Sequence, residues 1–398
     1  MNPLNPLYAI ATLVSAFAAA YCLRNRVALG DVAGRFSSID GLRGYLALGV
    51  FVHHAAIWFF YLRGGAFGEM PSNLYNNLGK ASVSVFFMIT GLLFYAKILE
   101  SDSKPLVWTR LFVSRLLRLG PLYVVTVLVG VVVIAYLSGF HLNVSAKKVV
   151  QEIVQWGSFT MLGSPDINGH SDTQPLLGPT WSLRYEWFFY LLLPTFAVIS
   201  GRRAPLMLVL IGLGTCALAL LLKHPLMPAL SFVGGIVAAK LATGGYGVKR
   251  FAVTPTASAI VLACFAYALL GFAAPFTLAQ GVVLTVAFCL IACGNTLFGI
   301  LGWKTSRVLG EITYSMYLLH SLLLFGVFQL LIGPAQSADF APFTHWLVVI
   351  ASAQLLVAVS IISFLLIESP SMRRVDDVTR WLSARGNRNR DRPPSVPA

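Results

Sequence analysis

Apolar residues in this chain come in long unbroken runs, without the strict alternation of a half-buried strand or the narrow stripe of a surface helix. Eleven runs stand out, at 7–23, 42–62, 81–98, 118–138, 183–200, 205–222, 226–242, 255–273, 277–298, 308–333 and 344–367. Each is near the ~17–25 residues that a membrane-spanning helix needs. The pattern predicts an all-α fold, a polytopic transmembrane helix bundle of about 11 spans. The seventh run is the most broken, with Pro225 and Pro228 crowding its start and Gly234-Gly235 inside it. The first is read as a span and not as a signal peptide. No positive side chain precedes it, and Arg24 and Arg26 follow it, the reverse of a signal peptide's charge order.

Composition agrees. The chain is 57% hydrophobic and 11% charged, against about 25% charged in soluble domains. A net charge of +14 would by itself suggest a nucleic-acid partner, but its distribution argues against one. Most of the 29 Lys and Arg residues fall on one set of connections: Arg24, Arg26, Arg35 and Arg43, the cluster from Lys97 to Arg118, Arg202-Arg203, Lys240 with Lys249-Arg250, Lys304 with Arg307, and the C-terminal tail. The other set holds Arg63, Lys80, Lys147, Lys148, Arg184 and Lys223. By the positive-inside rule the first set is cytoplasmic, so the N-terminus is expected outside and the C-terminus inside. The division expected is an extra N-terminal helix and cytoplasmic linker over 1–36, a membrane domain over 37–374, and a basic cytoplasmic tail over 375–398, expected to be disordered. The longest outer connection, 139–182, is long enough for a lid or substrate loop. The five cysteines lie in apolar runs without metal-site spacing; Cys289 and Cys293 share a helix face, but two thiols make a poor site, and no metal is expected.

The chemistry-bearing residues start with Arg43 and His54, 11 positions apart and so ~16 Å apart on a helix. With Arg43 at a membrane edge, His54 falls about halfway across a ~30 Å hydrocarbon core. A buried titratable imidazole there is costly, and its bland alternative is a helix–helix hydrogen bond. His53 points about 100° away round the same helix and fits that alternative better. His320 lies 12 residues into its own run, ~18 Å, so it can share a layer with His54. Two imidazoles at one depth suit proton transfer to or from a hydroxyl. Glu186 lies a turn inside the outer edge in Trp181-Ser182-Leu183-Arg184-Tyr185-Glu186, ahead of Tyr190 and Pro194. A buried carboxylate of this kind needs a partner, and can orient an imidazole or bind an acceptor hydroxyl. Arg115 and Arg118 are i, i+3 neighbours that can fork onto a phosphate at the cytoplasmic mouth; ordinary positive-inside charge explains them equally well.

These motifs, in this order, resemble the integral-membrane acyltransferase family 3, which includes bacterial O-antigen, exopolysaccharide and nodulation-factor O-acetyltransferases. The matching residues are Ile39-Asp40-Gly41-Leu42-Arg43-Gly44 with His54, then Phe86-Phe87 through Thr90-Gly91, and Arg115-Leu116-Leu117-Arg118 with Pro121. Trp181-Ser182-Leu183 with Glu186, Phe189-Tyr190 and Pro194 follow, then Tyr314-Ser315 with Tyr317 and His320, and finally Glu368-Ser369-Pro370. The resemblance covers about 37–374. Two departures stand out: Ser84 occupies a position where the family usually has an acidic residue, and the 7–23 run is additional to a ten-helix core.

The resemblance implies an enzyme of the bacterial cytoplasmic (inner) membrane. It takes an acyl group, commonly acetyl, from cytoplasmic acyl-CoA as co-substrate and moves it to a hydroxyl of a glycan or glycoconjugate. No bound cofactor is implied. In that scheme the catalytic residues are His54 as general base with His320 and Glu186; Arg43, Arg115 and Arg118 hold the CoA phosphates; His320, Tyr317 or Trp181 serve the oxyanion; and Trp181, Tyr190 and Tyr317 bind the acceptor, with Trp181 and Glu186 lining the outer entrance. Two alternatives compete with this scheme. The other large class of membrane-bound O-acyltransferases also buries a histidine but lacks the Asp-Gly-Leu-Arg opening. A proton-coupled transporter or glycan exporter could use the histidines as a relay, but no internal repeat supports it.

Overall fold

The computed structural model describes residues 2–27, 29, 36–102 and 105–390. Most of the expected linker between the first two spans (28 and 30–35), Lys104 and the end of the tail (391–398) lie outside the described residues.

Every apolar run becomes helical. In chain order these helices are α1 (Pro6–Leu23), α2 (Ser37–Tyr61), α3 (Asn73–Leu99), α4 (Trp108–Leu137), α5 (Ala146–Gly157), α6 (Thr173–Leu177), α7 (Leu183–Ile199), α8 (Leu206–Leu221) and α9 (Ser231–Gly244). They continue with α10 (Tyr246–Ala252), α11 (Pro255–Leu270), α12 (Leu278–Ala292), α13 (Lys304–Glu311), α14 (Thr313–Phe325), α15 (Pro334–Ala338), α16 (Pro342–Ser363), α17 (Ser369–Arg373) and α18 (Val375–Arg390). No β-strand occurs among the described residues, only one isolated bridge between Ile167 and His170. The fold is an all-α, multi-pass membrane bundle.

Seven helices are long and apolar enough to cross a bilayer, or eight if α10 and α11, bent by 83° at their junction, form one span. The eleven expected spans exceed that number for a physical reason. Helix α7 has 17 residues, α8 has 16 and α12 has 15. At ~1.5 Å per residue they reach only about 22–26 Å, short of a ~30 Å core.

Two close helix crossings set the frame. Helix α2 lies against α13 and the turn before it. A Cβ on Gly41 would overlap the Leu301 carbonyl oxygen, one on Gly44 would overlap Leu309, and one on Gly310 would overlap the Asp40 carbonyl oxygen. The two glycines of the Asp-Gly-Leu-Arg-Gly string thus form the contact face, because only a bare backbone permits so close an approach. On the other side α3 crosses α9, where Gly91 meets the Phe232 carbonyl and Gly235 meets that of Met88. Stacked Phe87, Phe232 and Phe189, with centroids 4.8 and 4.4 Å apart, fill the space beside this crossing.

The C-terminal segment wraps onto α4. A π-helical turn over Phe364–Glu368 leads into α17 and α18, and Arg110 of α4 pairs with Asp376 at 2.8 Å. Expected disorder from 375 onward therefore gives way to a helix as far as Arg390. Its acidic start, Asp376 and Asp377, suits a helix N-terminus. Arg380 pairs with Asp377 one turn on, at 2.6 Å.

Candidate functional site

His54 projects from the middle of α2 and His320 from α14. Their rings meet, with His320 Nε2 and His54 Nδ1 3.2 Å apart and ring centroids separated by 4.9 Å. The equal depth inferred from helix rise becomes direct contact. The hydrogen-bond partners assign the tautomers. His320 Nδ1 sits 2.7 Å from the Tyr317 carbonyl oxygen, which can only accept, so Nδ1 carries the proton and Nε2 is an acceptor. His54 Nδ1 lies 3.0 Å from the Val50 carbonyl, so it too carries a proton, shared between Val50 and His320. His54 Nε2 keeps its lone pair. His320 is fully buried, whereas His54 remains partly exposed. His53, by contrast, donates from Nδ1 to the Tyr75 carbonyl (2.8 Å), and its ring fills the space against Gly79, a structural role.

Beside this pair lies a cavity of about 200 Å³, lined among others by Arg43, Arg115, Arg118, Glu186, Tyr190 and Tyr317. The three arginines expected to act together are together. Arg43 makes no hydrogen bond or ion pair among the described residues. Arg115 lies over the Phe94 ring, 4.9 Å from its centroid, and its buried Nε has no partner. Arg118 reaches Met372 Sδ with one terminal nitrogen (3.1 Å) and leaves the other buried and unpaired. Unmet donors on two buried guanidinium groups are costly unless an anion completes them. A phosphate-bearing ligand fits that need.

Glu186 is where the geometry departs from expectation. It does not line a separate outer entrance. It faces Arg115, Arg43 and Arg118 across the same cavity and accepts from the Tyr190 hydroxyl at 2.8 Å. It bonds neither histidine. The reason lies in the chain just before it. Thr173–Ser182 forms only α6 and one 3₁₀ turn, and this segment is buried against α14 and α4. Helix α7 therefore begins inside the bundle and not at its rim. Irregular backbone is tolerated at such a place because protein groups satisfy it. The Tyr317 hydroxyl donates to the Pro179 carbonyl (2.7 Å) and accepts from Ser182 Oγ (2.7 Å).

Those bonds also revise the candidate oxyanion donors. The Tyr317 proton is spent on Pro179, and His320 Nε2 is an acceptor. Trp181 stands outside the cavity, packed edge-on against Tyr185 and Phe276. Tyr317 is instead the wall between the two halves of the site: it lines the arginine cavity, and its ring lies 6.0 Å from that of His320.

Further residues of the site were not singled out individually in the sequence. Tyr314 lines the cavity and donates to the Leu119 carbonyl, 2.6 Å away, tying α14 to the arginine helix α4. Glu368, rotated inward by the π-helical turn, accepts from Ser315 and stands within electrostatic reach of Arg118. The sequence signal for both was motif order alone.

Comparison with known proteins supplies the class of chemistry. A family model described as an acyltransferase domain, that of acyltransferase family 3, matches residues 36–366. The acyltransferase MdmB of Streptomyces mycarofaciens is 31% identical over 164 residues, which are 40% of this chain and 38% of the relative. The chain thus aligns with well under half of that curated relative. No solved structure matches the chain. With the matched region spanning α2 to the π-helical turn after α16, and so both halves of the site, the chain belongs to acyltransferase family 3.

Proposed function

We propose that this protein transfers an acyl group, acetyl in the first instance, from cytoplasmic acyl-CoA to a hydroxyl of a glycan or glycoconjugate, with His54 as general base. The observation that carries this reading is an adjacency: an arginine-lined cavity with unmet donors, Tyr317 in its wall, and, 6.0 Å beyond that ring, a histidine pair in which the half-buried His54 keeps a free Nε2. CoA phosphates would take up the unpaired Arg115 and Arg118 groups, with Arg43 adding positive charge. Glu186 and Tyr190 frame the same cavity and limit where an anion can sit.

His54 Nε2 takes the acceptor hydroxyl proton as its oxygen attacks the thioester carbonyl. The C–S bond then breaks, and the CoA thiolate recovers that proton from His54. His320 is a positioning partner. Its Nε2 accepts from His54 Nδ1, which fixes the ring and favours the transient imidazolium, as a buried acceptor does for a catalytic histidine elsewhere. The charge asymmetry of the connections supports a cytoplasmic donor side and a cytoplasmic C-terminus, in a bacterial inner membrane.

The test is acyl transfer from radiolabelled acetyl-CoA in membranes or reconstituted vesicles. His54→Ala should lower turnover by about 10²–10⁴-fold, the usual worth of a positioned base, with unchanged protein level and unchanged acetyl-CoA binding. Full turnover in that variant would remove His54 from the mechanism.

A further inference from the structure

The connection that follows α2, from Leu62 to Ser72, has no helical or strand structure, and it contains Gly64, Gly65 and Gly68. Gly64 has φ +83°, a backbone conformation that favours glycine, and the loop is held at both ends, by Arg63 donating to the Phe59 carbonyl and by Met70 bonded through its N–H and its carbonyl to Asn76. From it Phe67 turns back onto the bundle. Its ring lies nearly parallel to that of His54, with centroids 6.1 Å apart and 21° between planes. The same ring is edge-on to Trp58 at 6.0 Å and to Tyr61 at 5.5 Å. The Tyr61 hydroxyl donates to Asp172 Oδ1 at 3.0 Å, which ties this aromatic cluster to the long connection before α7. Arg43 and Phe67 therefore flank His54 from opposite ends of α2: the cationic cavity toward its start, an aromatic cover past its end.

We infer that Phe67 is a positioning and specificity residue that covers His54 on the acceptor side, so that the acyl group passes to a bound acceptor hydroxyl and not to water. The inference rests on the proposed role of His54. Any base able to activate a sugar hydroxyl can activate water equally well. Acyl-CoA plus water would then give free carboxylic acid and CoA thiol, the same C–S cleavage with water as the attacking oxygen. A cover that excludes water until the acceptor displaces it prevents that loss. An aromatic cover suits this task, because the half-buried Phe67 ring also has a flat face, the one turned away from His54, on which the apolar side of a pyranose can lie.

The experiment has two independent arms. In the first, diethyl pyrocarbonate, which modifies the free nitrogen of neutral imidazole, is applied to the full-length protein. Modification of His54 is followed by mass spectrometry, with the exposed His141 as internal reference. The loss of one ring contact is worth up to about tenfold in access to the imidazole. Phe67→Ala should therefore speed His54 modification about tenfold and leave His141 unchanged, while Phe67→Tyr should restore protection. In the second arm, the same variants are given radiolabelled acetyl-CoA in native membranes. The ratio of free acetate to label in the membrane extract should rise about tenfold in Phe67→Ala and return in Phe67→Tyr.

Equal His54 modification in Phe67→Ala and the parent would overturn the cover. So would faster modification with no rise in the acetate ratio. If His54→Ala keeps full transfer while Phe67→Ala still exposes His54, the proposed base fails and the geometric cover stands, so the two ideas fall separately.

Discussion

Arg118 is the residue on which the donor side turns. It is held by Met372, within reach of Glu368, and left with one unpaired terminal nitrogen facing a cavity that already contains Arg43 and Arg115. Glu186, Glu368, Asp40 and Glu311 all stand within electrostatic reach of these arginines, yet buried nitrogens of Arg115 and Arg118 stay unpaired, and a polyanionic ligand can complete them. A charge-assisted hydrogen bond is worth about 1.5–3 kcal/mol, so Arg118→Gln should raise the KM for acetyl-CoA by roughly ten- to a hundredfold with a smaller change in kcat. S-acetyl pantetheine, which has the thioester but no phosphate, gives the control: the penalty should vanish with it. An equal penalty with both donors would mean that Arg118 shapes the cavity and does not read phosphate. At this scale His54 and His320 were legible in the sequence, because a regular 1.5 Å rise converts residue number into depth. Glu186 was misplaced by the same rule, since its helix starts inside the bundle and counting from the end of the apolar run starts from the wrong plane. Phe67 was not legible at all; a glycine-rich loop has no period from which to infer where its one aromatic ring goes.

At the scale of elements, the crossing of α2 with α13 aims the site. Gly41 and Gly44 put one face of α2 against Leu301 and Leu309, and this leaves Arg43 on the neighbouring face that borders the cavity. Helix α13 ends at Glu311 and the chain turns at Ile312 into α14, so the crossing also sets the rotation of Tyr314, Tyr317 and His320. Gly310→Ala should press a methyl group into the Asp40 carbonyl. Overpacking of this kind costs about 1–3 kcal/mol. The expected outcome is a lower thermal midpoint for the purified protein in detergent, with activity falling further than the loss of folded material explains, because His54 is carried by α2 and His320 by α14, which follows directly on α13. A destabilised protein with normal activity per folded molecule would mean that the crossing supports the fold without aligning the site. The Asp-Gly-Leu-Arg-Gly string was visible in the sequence, but its division of labour, glycines for packing and arginine for the cavity, needed the neighbouring helix.

For the whole molecule, the direction of transfer depends on which end of α2 faces the cytoplasm. The arginine cavity sits near the start of α2, in the part of the molecule where α4 meets α17 and α18, and Arg110 pairs there with Asp376. Phe67 and the 139–172 connection lie at the other end. The basic residues divide the same way, with Arg373, Arg374, Arg380 and Arg385 on the α17–α18 end. In the proposed topology, which the positive-inside rule supports, the cavity end is cytoplasmic, on the side of the proposed acyl-CoA donor, and the Phe67 end is external. Single cysteines introduced at His141 and at Ser383, both exposed, test this in a background with the five native cysteines replaced by serine. A membrane-impermeant maleimide should label the His141→Cys protein in intact cells, and should label Ser383→Cys only after permeabilisation. The reverse pattern would put the arginine cavity outside, away from any CoA thioester, and the donor assignment would fall with the topology. Labelling at both positions in intact cells would place both ends of α2 on one face, and α2 would no longer carry an acyl group from one side of the membrane toward the other.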